Sequence, residues 1–335
     1  MSKHNTGAPI TRREALRRTL VFSTGAWAAS QFGSLQAGEP RTDFGEKGIH
    51  LLALGDYGMR GNEGQRSVAD RMATFARSLG APLTGVLAIG DNFYRKITPN
   101  RFETDFEQMY SQQDLACPFY ACAGNHDYGT ALYDFQQGKL QMQLDYAANN
   151  PQSRWKFPAK WYSVELPSPE EPLVKIVTLD GSYWPGALTP REKVDQRRWL
   201  EAELKKPTKA PWLWVVNHYP LFSDTADRGD NKTLIREWGP ILQDHPVSLC
   251  LAGHDHTLQH LRVEGYSADF VVSGAGGARL YDVHPSERGF CNNQCFGFAH
   301  LYASPERMEL QFINAAGERL HGYTRDRQGK VEVRT

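Results

Sequence analysis

The sequence predicts an α/β domain with at least one mixed sheet. Two observations predict it. Short apolar runs alternate with segments that carry apolar residues at helical spacing, as strands joined by crossover helices do. Near the C-terminus, three runs follow one another without helices between them, as in an antiparallel meander.

In chain order, residues 49–56, IHLLALGD, read as a buried strand. Residues 63–79, EGQRSVADRMATFARSL, read as an amphipathic helix. TGVLAIGDN at 84–92 is the next strand, and RFETDFEQMY at 101–110 reads as helical. CPFYACAGNHD at 117–127 is a third strand with its exit loop. KWYSVEL and VKIVTLDG read as strands, and VDQRRWLEAELKK at 194–206 as an amphipathic helix. APWLWVVNHYP and VSLCLAGHDH are further strands. FGFAHLYAS, RMELQFINA and RLHGYTRD form the meander. LPSPEEPL at 166–173 has the composition of a loop, and no segment has that of a domain linker. One catalytic domain over 45–330 is expected.

Residues 1–37 differ in character. Paired arginines, Arg12–Arg13 and Arg17–Arg18, precede a mildly apolar stretch with small-residue exits near Ala28–Ser30 and Ala37. That resembles a twin-arginine export signal, and implies the export machinery as a partner and a periplasmic or secreted destination. The stretch is too short and too polar for stable membrane insertion. Without it, 33 basic and 37 acidic groups remain, a net charge of −4; with it the formal net charge is zero. Neither balance suits nucleic-acid binding. Among the five cysteines, Cys117, Cys122 and Cys250 lie in apolar runs and read as small buried hydrophobes. Cys291 and Cys295, in CNNQC, either close a small disulfide in an oxidising compartment or stay free.

The strand exits carry the chemistry. LALGD ends in Asp56 and LAIGD in Asp91. ACAGNHD delivers Asn125, His126 and Asp127, WVVNH delivers His218, and CLAGH delivers His254 with His256 behind it. Each fragment alone has an ordinary reading: a Gly-Asp pair after a strand is a turn or a cap, and a lone histidine is a structural residue. Five apolar runs that all end in oxygen or nitrogen ligands are a different matter. Loops beyond the carboxyl ends of strands are where α/β sheets build their sites. Strand alternation would let His254 and His256 face one way with Asp255 opposite. Three histidines, two aspartates and an asparagine suit two metals sharing one carboxylate, a device that activates water and clamps a phosphate.

In order, the motifs are GDYG (55–58), GDNFY (90–94), GNHD (124–127), VVNH (215–218) and GHDH (253–256). The set resembles the calcineurin-like metallophosphoesterase superfamily, and within it the purple acid phosphatases, especially the small tartrate-resistant type. The resemblance implies a four-layer α-β-β-α sandwich with two mixed sheets. It implies that Asp56, Tyr94 and His256 bind a ferric ion and that Asn125, His218 and His254 bind a divalent ion, iron, zinc or manganese. Asp91 would bridge the two. Many relatives carry a histidine where this chain has Gly58, and Tyr94 stands where purple acid phosphatases use a tyrosinate. His126 would face the substrate as general acid or stabilise phosphate charge, while Asp127 would either orient His126 or serve its turn. The implied reaction is hydrolysis of a small phosphate monoester by a hydroxide activated at the metals. A phosphodiesterase or nucleotide hydrolase on the same scaffold is the alternative. A binding protein that keeps the fold would show a broken ligand set, and here every ligand position is filled. Asn217, where close relatives often have glycine, bears on substrate preference rather than on metal binding.

Overall fold

The computed structural model describes residues 38–45, 47–59, 63–130 and 135–334, so the leader expected at 1–37 lies outside the described residues. The elements begin with β1 (Ile49–Leu54), α1 (Glu63–Ser78), β2 (Leu83–Ala88), β3 (Phe119–Ala121), α2 (Lys139–Asn149) and β4 (Trp155–Lys156). Next come β5 (Tyr162–Leu166), β6 (Val174–Thr178), α3 (Pro190–Lys205), β7 (Trp212–Val216), α4 (Lys232–Gln243), β8 (Leu249–Ala252) and β9 (Leu258–Arg262). The chain ends with β10 (Asp269–Ser273), β11 (Gly289–Asn292), β12 (Gly297–Ala303), β13 (Arg307–Asn314), β14 (Arg319–Asp326) and β15 (Val331–Arg334).

The strands form two mixed sheets. One runs β15-β14-β13-β12-β1-β2-β3-β4, the other β11-β9-β10-β8-β7-β6-β5. β1 to β4 are parallel, and β12 joins antiparallel to β1 at the head of the meander. In the second sheet β6, β7, β8 and β10 are parallel, and the antiparallel strands β5, β9 and β11 lie outside them.

Alternation along the strands explains the layering. Leu51 and Ala53 of β1 and Leu301 of β12 face Trp214 and Val216 of β7 and Leu251 of β8, so the sheets pack on each other. Leu52 and Leu54 point the other way, onto Val68 and Met72 of α1. Val215 and Cys250 point outward from the second sheet onto Leu200 of α3 and Trp238 of α4. The result is a helix–sheet–sheet–helix sandwich. Each buried Leu or Val in it contributes about 1.5–3 kcal/mol relative to exposure. Among the described residues, no helix is long and apolar enough to cross a membrane.

Two of the expected elements differ in the structure. The helix expected from residue 194 starts at Pro190, because Thr189 and Glu192 close a capping box ahead of it. The segment expected to be helical over 101–110 is centred on a π-helical turn, Glu103–Glu107. All five cysteines are free, Cys291 and Cys295 included.

Candidate metal centre

The parallel strands of both sheets deliver their exits to one edge of the sandwich. The two sheets are tied together there: Gly55 N–H donates to Ser273 O at 2.8 Å, and His218 Nδ1 to Ile89 O at 2.9 Å. Asp56, Asp91 and His254 hold positive φ angles of 60°, 52° and 66°. Each costs about 1–3 kcal/mol for a residue with a Cβ and persists only where its surroundings enforce it. Here Asp56 N–H donates to Gly90 O at 3.0 Å, and His254 N–H to Asp56 Oδ2 at 2.8 Å. Strand alternation is therefore not what orients the GHDH histidines. β8 ends at Ala252, and the left-handed turn at His254 separates their directions.

Polar atoms converge in two groups. Tyr94 Oη lies 3.4 Å from Asp56 Oδ1 and 3.1 Å from His256 Nε2, and that nitrogen is 3.2 Å from Asp56 Oδ1. Asn125 Oδ1 lies 2.8 Å from His254 Nδ1 and 3.3 Å from His218 Nε2. Asp91 touches both groups. Its Oδ2 is 3.4 Å from His218 Nε2, and ligand atoms of Asp56, Asp91 and His256 lie within 4.8 Å of one another. The far nitrogens are fixed by main chain: His218 Nδ1 donates to Ile89 O, and His256 Nδ1 donates to Arg279 O at 2.5 Å. Each ring thus presents Nε2 inward, the arrangement imposed when a carbonyl accepts from the far nitrogen of a metal-binding histidine.

The electrostatics call for positive charge. Asp56 and Asp91 are buried, and among the described residues their ion-pair partners are all imidazoles. Burial works against a charged His218, but the Asp91 and Asp56 carboxylates overcome it and raise the ring to about 9. Burial raises Asp91 as well, yet His218 and His126 hold it below the ordinary carboxylate range. Burial, then Asp91 and Asp56, push the Tyr94 phenol well above its ordinary value, so it ionises only beside a compensating cation. His254 is driven well below the usual histidine value by burial, His218 and Arg228, which leaves it neutral, as a ligand must be. Buried carboxylates, a phenol and imidazoles form a donor set that fits two adjacent metal ions, whose charge would replace the proton that the carboxylates hold on His218.

Position 58 has no room for a side chain: a Cβ there would strike the Asn92 carbonyl. Gly90, at φ 88°, packs its α-carbon against the His218 ring, where a Cβ would collide.

His126 is mostly buried beside the cluster. Its N–H donates to Asp91 Oδ1 at 2.8 Å, and its ring lies 4.3 Å from that of Tyr94. Asp127 lies beneath, fully buried. Its carboxylate accepts from Gly124 N–H at 2.8 Å, Asn92 N–H at 3.0 Å, Phe93 N–H at 3.1 Å, and the Gln143 and Asn92 amides. It ties the GDNFY and GNHD loops together.

Sequence reasoning missed the groups that hold these loops. Arg101, paired to Asp105 at 2.6 Å, donates to the carbonyls of Tyr94 at 2.5 Å and Gly58 at 3.1 Å. Buried Lys139 donates to the carbonyls of Phe93 at 2.6 Å and His126 at 2.7 Å. The i,i+4 spacing of Arg101 and Asp105 was a readable signal. Lys139 had none. Arg228, against His254 and 3.2 Å from the Tyr281 hydroxyl, was also not foreseen.

Comparison with known proteins agrees with this geometry. The calcineurin-like phosphoesterase family model matches residues 49–258. Tartrate-resistant acid phosphatase type 5 of Sus scrofa is 28% identical, covering 85% of this chain and 88% of that protein. Purple acid phosphatase 17 of Arabidopsis thaliana is 30% identical over 84% of this chain and 85% of its own. The solved structure of a purple acid phosphatase from yellow lupin, Lupinus luteus, shares the fold at TM-score 0.65 and 18% identity, over 87% of this chain and 56% of that one. The chain belongs to the calcineurin-like phosphoesterase family, on its purple acid phosphatase branch, and is a phosphoester hydrolase built around a dimetal site.

Proposed function

We propose that the protein hydrolyses small phosphate monoesters at an Fe(III)–M(II) centre, with M iron, zinc or manganese. The observation that carries this reading is the division of ligand atoms into two groups that share Asp91. Asp56, Tyr94 and His256 would hold the ferric ion; Asn125, His218 and His254 would hold the divalent ion. Tyr94 favours ferric iron at the first position, because a phenolate is a hard anionic donor. When bound, the two ions supply Lewis acidity to the phosphoryl oxygens and an acidified water.

The chain's own groups do the rest. Water adds to phosphorus in line, and the bond to the leaving oxygen breaks. His126 would give that oxygen a proton and stabilise charge on the phosphoryl group. Asp127 acts as a positioning residue, holding the two loops that carry Asp91 and His126. Nothing in residue type separates monoesters from diesters, since two metals serve both.

The test pairs metal analysis and a visible spectrum of the purified protein with side-by-side rates on nitrophenyl phosphate and bis-nitrophenyl phosphate. Bound iron, a charge-transfer band and faster monoester turnover are expected. A colourless zinc or manganese protein from iron-replete cells would refute the iron assignment, and diester preference would refute the monoesterase reading.

We further propose export through the twin-arginine route to the periplasm or beyond. The support is the arginine pairs and small-residue exits of residues 1–37. Replacing Arg12 and Arg13 by lysine should strand the protein in the cytoplasm of a host with that route. Undiminished export of the variant would remove the support.

A further inference from the structure

We propose that Arg228 determines specificity by seating a second anionic group of the substrate, beside the phosphoryl group at the metal centre. The inference rests on the dimetal reading of that centre.

His254 turns Nδ1 toward Asn125 Oδ1, so Nδ1 is the nitrogen available to a metal. A neutral imidazole that gives one nitrogen to a cation carries its proton on the other. Nε2 of His254 is then a donor. Nη1 of Arg228 lies against that same nitrogen, and a guanidinium has only donors. With the metal at Nδ1 the two donors can no longer bond to each other, and an oxygen of an anion entering the cleft beside them would satisfy both.

The surrounding side chains hold the guanidinium at that space, with the Asp255 carboxylate at ion-pair distance. Arg228 packs over the Tyr281 ring at 4.7 Å, and Tyr281 stacks on His256 at 4.1 Å and 12°. The guanidinium therefore touches His254 directly and reaches His256 only through the Tyr281 ring. The Asp255 carboxylate is 3.6 Å from Arg228 Nε, too long for a hydrogen bond. Asp230, in the same cleft, is taken through both oxygens at 2.9 Å by Arg288, which also holds Asp224. The Arg228 side chain is 35% exposed. It borders a cleft of about 280 Å³ that opens beside His254 between Tyr219 and Asn231. The class of substrate that fits is a phosphate monoester whose alcohol carries a carboxylate or a second phosphate, either of which a guanidinium fork grips through two hydrogen bonds.

The test uses the metal-loaded protein and three non-hydrolysable probes in calorimetric titration: propylphosphonate, 3-phosphonopropionate and propane-1,3-diylbis(phosphonate). The second anion should tighten binding at least about tenfold over propylphosphonate, and the probe with the larger gain identifies its source. Arg228→Ala should remove most of that gain and weaken propylphosphonate far less. Arg228→Lys should recover part of the gain, having charge without the fork. Turnover should follow: Arg228→Ala should lose more kcat/KM on 3-phosphoglycerate than on glycerol 3-phosphate. The proposal is overturned if the wild-type protein binds all three probes equally. It is also overturned if Arg228→Ala weakens all three by one factor or sheds metal, since Arg228 would then only support His254. Failure of the metal-loaded wild type to bind propylphosphonate at all would instead refute the reading of the centre.

Discussion

A Cβ at position 58 would meet the backbone of Asn92 and Phe93, so no ligand can reach the centre from there. The Tyr94 phenol stands 3.4 Å from Asp56 Oδ1 in its place, buried where it ionises only beside a cation. Adjacent histidines of one turn likewise face different groups, His254 toward Asn125 and His256 toward Asp56 and Tyr94. On the proposed Fe(III)–M(II) reading, this separates three substitutions by metal analysis and visible spectroscopy. Tyr94→Phe should bleach the charge-transfer band. His256→Ala should shift the band and lower the iron content. His254→Ala should shed mainly the divalent ion. Each should cost about 100-fold or more in kcat/KM, since even losing a group that only orients a ligand costs about 10–100-fold. Equal loss of both metals from all three would leave only the statement that these residues share a site. The ligand candidates were legible because metal chemistry resides in residue type and strand exits announce themselves. Arg101 and Lys139 were not, because their work is to donate to main-chain carbonyls, which any cation at any spacing can do.

The apolar strands, the first helix and the meander followed their periodicities, since a one-residue slip would turn the buried set outward. α3 was misplaced at its start because its first turn is polar, and its signal is Thr189-Pro-Arg-Glu192 rather than an apolar stripe. α4 was missed because Gly239 and Pro240 interrupt its pattern. Packing holds it: Leu234, Trp238 and Leu242 are buried, and Asn231 accepts from Leu234 N–H at 3.1 Å as its cap. β9 hid behind polar letters. Its Gln259 is buried, but its amide donates to Ser223, Thr225 and Thr257 hydroxyls and its oxygen accepts from Asp224 N–H. That network pins the loop before Arg228 to the strand after GHDH, so an element without a hydrophobic signature shapes the rim of the site.

Across the whole molecule, the sandwich also buries histidines away from the metal centre. His50 Nδ1 lies 3.0 Å from His300 Nε2 beneath Phe44, and His321 Nε2 lies 2.9 Å from His260 Nδ1 between the sheets. Burial lowers His50 to about 4. Burial, with His260 and Arg319 nearby, lowers His321 to about 3. Both titrate near 6.5 when free, which fixes the sign. Above that value neither state binds the proton and stability is unaffected. As pH falls below it, the unfolded chain takes up protons that the folded chain refuses, and stability drops until pH passes the folded values. At about pH 5, each such histidine costs about 2 kcal/mol relative to about pH 7. His321→Gln keeps a polar partner for His260 but cannot titrate. Its unfolding free energy, measured in urea at both pH values, should fall by about 2 kcal/mol less than that of the wild-type protein. Because the metal centre is common to both proteins, its own pH dependence cancels in the comparison. An identical fall in both would show that His321 is protonated in the folded state, and that the space between the sheets is wet enough to hold the charge.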